Sequence, residues 1–149
     1  MTERDKKILL KDLCGRLPYM VFCNFGLNHP LPLQRLLVDK LDGILLDFYE
    51  DGKDYQVYLS EVKPYLRPMS DMTDEEIKEL YKIEPSAIVY GAPEIETIRI
   101  VDDINQLGIE MDKMNNVIDY LNSIHIDHRG LIEKGLALPA TEGMYKLKQ

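Results

Sequence analysis

The chain has 149 residues, 45% of them apolar and 30% charged, with a formal charge of −8. That length can build one core without covalent staples, and the balance of apolar to charged residues argues against wholesale disorder. The negative charge argues against a general binder of nucleic acids or anionic membranes, which would need clustered Lys and Arg.

Thr2 is placed to cap a first helix, with Asp5 three residues on and Glu3 in the first turn. Ile8, Leu9, Leu13 and Leu17 recur at helical spacing, and Gly15 followed by Pro18 supplies a stop, so residues 3–15 are expected to form an amphipathic helix. Residues 1–23 carry Arg4, Lys6, Lys7, Lys11 and Arg16 against Glu3, Asp5 and Asp12, which leaves room for a local basic patch. The N-terminus has no apolar leader core, and no run approaches the ~20 apolar residues of a membrane helix, so no membrane association and a cytoplasmic location are expected. Cys14 and Cys23 are the only cysteines and show no zinc-type spacing; both are expected to be buried, reduced thiols.

Tyr19 to Phe25 alternates as a strand, with Val21 and Cys23 on one face and Phe22 on the other. The stretch GLNHPLP that follows is a loop, and its His29 has no companion at metal-ligand spacing. A meander comes next. Leu33–Leu41, Ile44–Tyr49 and Asp54–Leu59 are its arms, with turns at Asp42-Gly43 and Asp51-Gly52. Ile44, Leu46 and Phe48 share a face, as do Tyr55, Val57 and Leu59. Asp47, Glu50, Asp51 and Asp54 cluster by the second turn but lack the spacing of a calcium loop. Together with the Tyr19–Phe25 strand, the meander gives four antiparallel strands, enough for a small curled sheet or partial barrel.

The stretch VKPYLRPMSDMTDEE joins the two halves. Pro64 and Pro68 lack an N–H and push the preceding residue out of helix, so this hinge is expected to end the sheet. Thr73 and Glu76 form a capping box, with Met72 and Ile77 as the hydrophobic staple of a helix from Asp74 to about Lys82. Ala87–Tyr90 and Ile95–Val101 read as a second hairpin around Gly91-Ala92-Pro93, although Ile98, Val101 and Ile104 also fit helical spacing. Residues 94–112 carry a net −5, a solvated acidic face or one that meets a basic partner. After Gly108, Met111, Met114, Val117, Ile118 and Leu121 mark a helix from Glu110 to Ser123, whose methionines serve as core filler or as an adaptable binding face. That helix is acidic, which argues against a DNA-recognition role.

His125, Asp127, His128 and Arg129 are the candidate ligand-binding residues, since two imidazoles and a carboxylate within four positions can meet a cation, with Asp119 as a conceivable third ligand. The competing reading is structural. The segment follows a helix end, where a His gains from the dipole and Arg129 can pair with Asp127. Gly130 and Gly135 bracket a short turn, Leu136–Leu138 is expected to pack back, and residues 141–149 to form a loose tail. No phosphate loop, nucleophile elbow, metal-ligand set or dinucleotide fingerprint occurs, so no catalytic residue, metal or cofactor is assigned.

The expected architecture is one α+β domain. It comprises an N-terminal helix on a curled antiparallel β-meander (1–62), a Pro-rich hinge (63–73), a mainly helical part (74–140) and the tail. Three stretches, ILLKDLCGRLPYMV, VKPYLRPMSDMTDEE and VIDYLNSIHIDHRGLIEKGLAL, resemble small uncharacterised proteins of Bacteroidales genomes, prophages and mobile elements. In that set an aromatic often stands where this chain has His128, and the region 84–110 is variable. The resemblance implies no activity or cofactor. The function expected from the chain is that of a non-enzymatic accessory protein acting through contact with an unknown protein partner. The alternative is a small-ligand or nucleotide binder, which could act as a hydrolase, with its site near His125–Arg129.

Overall fold

A computed structural model describes residues 1–39, 43–83, 87–89, 98–100 and 110–145, with side chains for all but 87–89, 98–100 and 110–114. In chain order the elements are α1 (Glu3–Arg16), β1 (Phe22–Asn24), β2 (Leu31–Pro32), β3 (Arg35–Asp39), β4 (Gly43–Glu50), β5 (Lys53–Tyr58), β6 (Lys63–Leu66), α2 (Asp74–Ile83), β7 (Ala87–Val89), β8 (Ile98–Ile100), α3 (Glu110–Ser123) and β9 (Leu138–Pro139). The class is α+β, and the sheets do not close into a barrel. The chain divides into two compact units: Met1–Leu66 with Arg129–Ala140, and Arg67–His128 with Thr141–Gln149.

In the first unit, α1 begins as its sequence dictates. The Asp5 N–H donates to Thr2 Oγ1 at 3.0 Å, and the Thr2 N–H donates to Asp5 Oδ2 at 3.1 Å. Hydrogen bonding to the Thr2 side chain, and after it to the Thr2 N–H, holds the Asp5 carboxyl below its ordinary value. Leu9 and Leu13 are fully buried in a core with Val21, Cys23, Leu46, Phe48, Val62 and Leu131, and Ile8 and Leu17 pack against it. A buried leucine of this kind contributes about 1.5–3 kcal/mol of hydrophobic stabilisation.

The four expected strands do not share one sheet. The meander forms its own sheet in the order β3-β4-β5, while β1 lies in another of order β2-β1-β6-β9. The turn between β4 and β5 is the expected one: Asp51 and Gly52 both have positive φ, +48° and +80°, which matches the right-handed twist of a tight hairpin. Asp42, of the other expected turn, lies outside the described residues.

Pro64 does not end the sheet; it lies within β6, a central strand. The register explains how. The first half of β6 pairs antiparallel with β1 (Asn24 with Lys63, Cys23 with Pro64), and the second half pairs parallel with β9 (Tyr65 with Leu138, Leu66 with Pro139). The proline therefore sits where only one neighbour pairs, and its missing N–H leaves no gap in the β9 ladder. Asn24 Nδ2 donates to the Tyr65 hydroxyl at 3.2 Å, which ties β1 to β6 by side chains as well. Leu136 and Ala137 are buried, as the expected return of the chain requires.

In the second unit the Thr73 capping box is formed: the Glu76 N–H donates to Thr73 Oγ1 at 3.2 Å and the Thr73 N–H to Glu76 Oε2 at 3.4 Å. Met72, Leu80, Val117, Leu121, Ile124 and Ile126 are buried together, with Ile77 against them. β7 and β8 pair antiparallel, so strand pairing rather than helix prevails at Ala87–Val89 and Ile98–Ile100. The intervening turn, Gly108, most of the acidic stretch 94–112 and the side chains of Met111 and Met114 lie outside the described residues.

Candidate functional site

The segment His125–Arg129 is built on the end of α3. The His125 N–H donates to Asn122 O at 3.1 Å and the Ile126 N–H reaches back to Leu121 O at 3.0 Å. His125 itself has φ +63°. This pair of nested bonds around a left-handed residue is a common helix stop, normally carried by Gly, with an apolar contact between the residues that Ile126 and Leu121 represent. Here a buried His takes the glycine's place, and its ring stacks on that of Tyr145 at 3.6 Å with a 13° interplanar angle. The tail is thus held by a ring contact as far as Tyr145.

Asp127 is buried and its N–H donates to Arg67 O at 2.9 Å, while His125 O accepts from the Arg67 N–H at 2.8 Å. His128 Nε2 lies 2.8 Å from Asn122 Oδ1. Three of the four candidate residues therefore stand together in the second unit, each engaged in ending α3 or in binding its end to the strand-like stretch at Arg67. Asp119, the conceivable third ligand, is exposed on α3. Among the described residues no three His, Cys, Asp or Glu side chains stand close enough together to hold a metal ion.

Arg129 belongs to the first unit. Its Nε lies 3.3 Å from Asp12 Oδ1, an ion-pair distance without hydrogen-bond alignment. Asp12 is fully buried and is gripped from the other side by Arg16, also fully buried, through Nε to Oδ2 at 2.7 Å and Nη2 to Oδ1 at 3.1 Å. Arg16 is thus no part of a basic surface patch. The i, i+4 spacing of Asp12 and Arg16 on α1 is a signal for this pair that the sequence carries. Nearby Cys23 is inert: burial, with the Asp12 charge as a smaller contribution, pushes its thiol far up, so it stays protonated. Cys14, expected to be buried, is exposed.

The second unit has a comparable clamp that the sequence reading missed. Arg67 meets Glu76 with two bonds of 3.1 Å, and donates to Ile124 O at 3.0 Å and Asp71 O at 2.9 Å. One planar guanidinium thereby ties the start of α2 to the end of α3. The Tyr120 hydroxyl adds a bond to Glu76 O at 3.2 Å, and burial followed by the Glu76 charge raises its pKa.

The surface of the β3-β4-β5 sheet is different in kind. One face carries Leu36, Ile44, Leu46, Phe48, Tyr55 and Val57 into the core. On the opposite face, cross-strand pairing sets Leu37, Leu45 and Tyr58 in one row. Leu45 is buried between exposed neighbours, Leu37 at 37% and Tyr58 at 47%. The next row is polar: Asp47 accepts from Arg35 at 3.0 Å and from Gln56 at 3.0 Å. Beyond it lies Tyr49, 53% exposed, opposite Asp54. A shallow depression of about 360 Å³ follows these polar residues, lined by Gln34, Arg35, Asp47, Phe48, Tyr49 and Asp54. The acidic cluster noted by the second turn is thus shared out, with Glu50 bound to His29 Nε2 at 2.7 Å. Among the described residues no helix is long and apolar enough to cross a membrane. No protein-family model matches the chain, and no curated protein or solved structure matches it.

Proposed function

We propose that the chain is a cytoplasmic, non-enzymatic accessory protein, of the kind carried by mobile elements, that works by contact with a second protein. The observation that carries this reading is the apolar row Leu37–Leu45–Tyr58 on the solvent face of the β3-β4-β5 sheet, rimmed by the Arg35–Asp47–Gln56 row. Contact surfaces favour such a pattern, aromatic and aliphatic side chains at the centre with hydrogen-bonding groups around them. The residues that first suggested ligand chemistry support the same reading indirectly. His125 stops α3, Asp127 binds its end to Arg67, His128 meets Asn122, and Arg129 pairs with Asp12.

The test is affinity capture from a host lysate with the wild-type chain and with Tyr58→Asp, a change at an exposed position. A protein retained by the first and lost with the second, at equal melting temperature, is the expected result. Equal retention by both, or no retained protein, overturns the assignment of this face.

A further inference from the structure

Among the described residues strand β3 is an edge of its sheet, and its sequence Arg35-Leu36-Leu37-Val38-Asp39 is complementary to itself when reversed. From this we infer that a second copy of the chain pairs with β3 antiparallel, about a two-fold axis at Leu37, to make one six-stranded sheet. In that register Arg35 stands opposite Asp39 of the second copy, Leu36 opposite Val38, and Leu37 opposite Leu37. Both charged ends find opposite charges, and each apolar residue finds an apolar one. A parallel pairing in register would instead set Arg35 against Arg35 and Asp39 against Asp39, so the charges select the direction.

Three observations support the second copy as the occupant. The strand is open to solvent along its length: only Leu36 is half-buried, and Val38 is 75% exposed, an unusual state for a β-branched residue in a strand. Native edge strands are commonly protected by like charges, bulges or proline, whereas β3 bears opposite charges at its two ends and pairs without interruption to β4 from Arg35 to Asp39. Arg35, Leu37 and Asp39 share the solvent face, so pairing continues the apolar row across both copies, from Tyr58 through Leu45 and Leu37 to the same three residues in reverse. The register also suits the backbone. Whichever residues of β3 turn their N–H and C=O outward, each class pairs within itself, 35 with 39 and 37 with 37, or 36 with 38. The interface is isologous, as a closed dimer requires.

Arg35 already binds Asp47 through Nε and Nη2, at 3.0 and 2.7 Å, but its side chain is 70% exposed and a guanidinium carries five N–H donors, so a second carboxylate can be met. Five residues a side bury much less than the ~1,600 Å² of a standard interface, which places the dimer in the weak, concentration-dependent class. This inference is separate from the contact proposed above: pairing uses the edge and leaves Tyr58 and the solvent face of both copies open.

Charge swapping tests it. Sedimentation of the wild type over a dilution series is expected to show a species of twice the 17.3 kDa chain mass, growing with concentration. Arg35→Asp alone and Asp39→Arg alone should each weaken self-association at least tenfold, because each sets like charges opposite one another. Mixed in equal amounts, the two variants should associate as well as the wild type. Since Arg35→Asp also faces Asp47 within one chain, a second measurement stands apart from charge. With Cys14→Ser as background, Leu37→Cys on the axis should oxidise to a linked dimer, and Val38→Cys, offset from its own copy, should not. A wild type that stays monomeric, a dimer indifferent to both charge variants, a mixture no better than its components, or cross-linking through Val38→Cys rather than Leu37→Cys overturns the inference. Capture of a host protein is read separately, by comparing the wild type with Tyr58→Asp, a change outside β3.

Discussion

Asp12 sits between two guanidiniums, one four residues along its own helix and one from the far end of the chain. Removing the carboxylate leaves Arg16 buried without its counter-charge, the costly half of breaking an internal ion pair. Asp12→Ala is therefore expected to destabilise the protein by roughly 3–5 kcal/mol in urea unfolding. The joint change Asp12→Leu with Arg16→Met, which removes both charges, should cost much less. Half of this arrangement was legible in the sequence as an i, i+4 pair. The other half was not, because nothing local to Arg129 announces that the chain returns to α1. The same is true of Arg16, which counts as surface charge until its helix face is known. Asp5 illustrates the opposite case, a role fully local and fully readable. Its folded pKa lies below the unfolded 3.8, so the cap's contribution is present above that value and fades as pH falls through the lower, folded one. An NMR titration should place the Asp5 midpoint below 3.8, and Thr2→Ala should move it upward. Thiol labelling reads the two cysteines: Cys14 should react in the native protein and Cys23 only after unfolding.

At the scale of elements, helix ends were more readable than strands. The caps at Thr2 and Thr73 and the span of α3 follow from side chains within four residues of each other, which is the range of sequence pattern itself. Thr73→Ala should cost about 1 kcal/mol, measured as a shift in unfolding midpoint. The stop of α3 invites a sharper comparison. His125→Ala and His125→Gly both lose the ring that lies on Tyr145, but only Gly adopts φ +63° without steric cost. The Gly variant should be the more stable by about 1 kcal/mol, the penalty a Cβ carries in the left-handed region. Equal stabilities would mean that the backbone relaxes on losing the ring. Strand β6 was not readable, since a proline argues against a central strand unless its two neighbours pair with different halves of it, and that depends on register. At the candidate site the contacts of each residue were unreadable for a related reason. Two His and an Asp close in sequence suggest chemistry, but their backbone positions relative to the helix end decide what they do.

For the molecule as a whole, the first unit is not continuous in sequence: the chain leaves it at Leu66 and re-enters at Arg129. The late return supplies Leu131, fully buried, and the strand β9 that completes the sheet beside β6. Leu131→Ala should therefore cost about 2–5 kcal/mol, as large as a change in α1, despite its distance along the chain. The elements expected from sequence, an N-terminal helix, antiparallel strands and later helices, are present in that order. Position along the chain does not reveal that a segment near one end belongs with the elements at the other.

The parallel pairing of β6 with β9 also sets an order of events during synthesis. When Leu66 leaves the ribosome, the sheet beside it has an open edge and a core without Leu131, and everything from Arg67 to His128 must still emerge. At ~5–20 residues per second this is a wait of several seconds, long compared with collapse or helix formation. During that wait β6 shows unpaired N–H and C=O groups on the side that β9 will later cover, and the nascent chain depends on its Asp12–Arg16 pair before Arg129 arrives. The last-made strand acts as the lock on the first-made part.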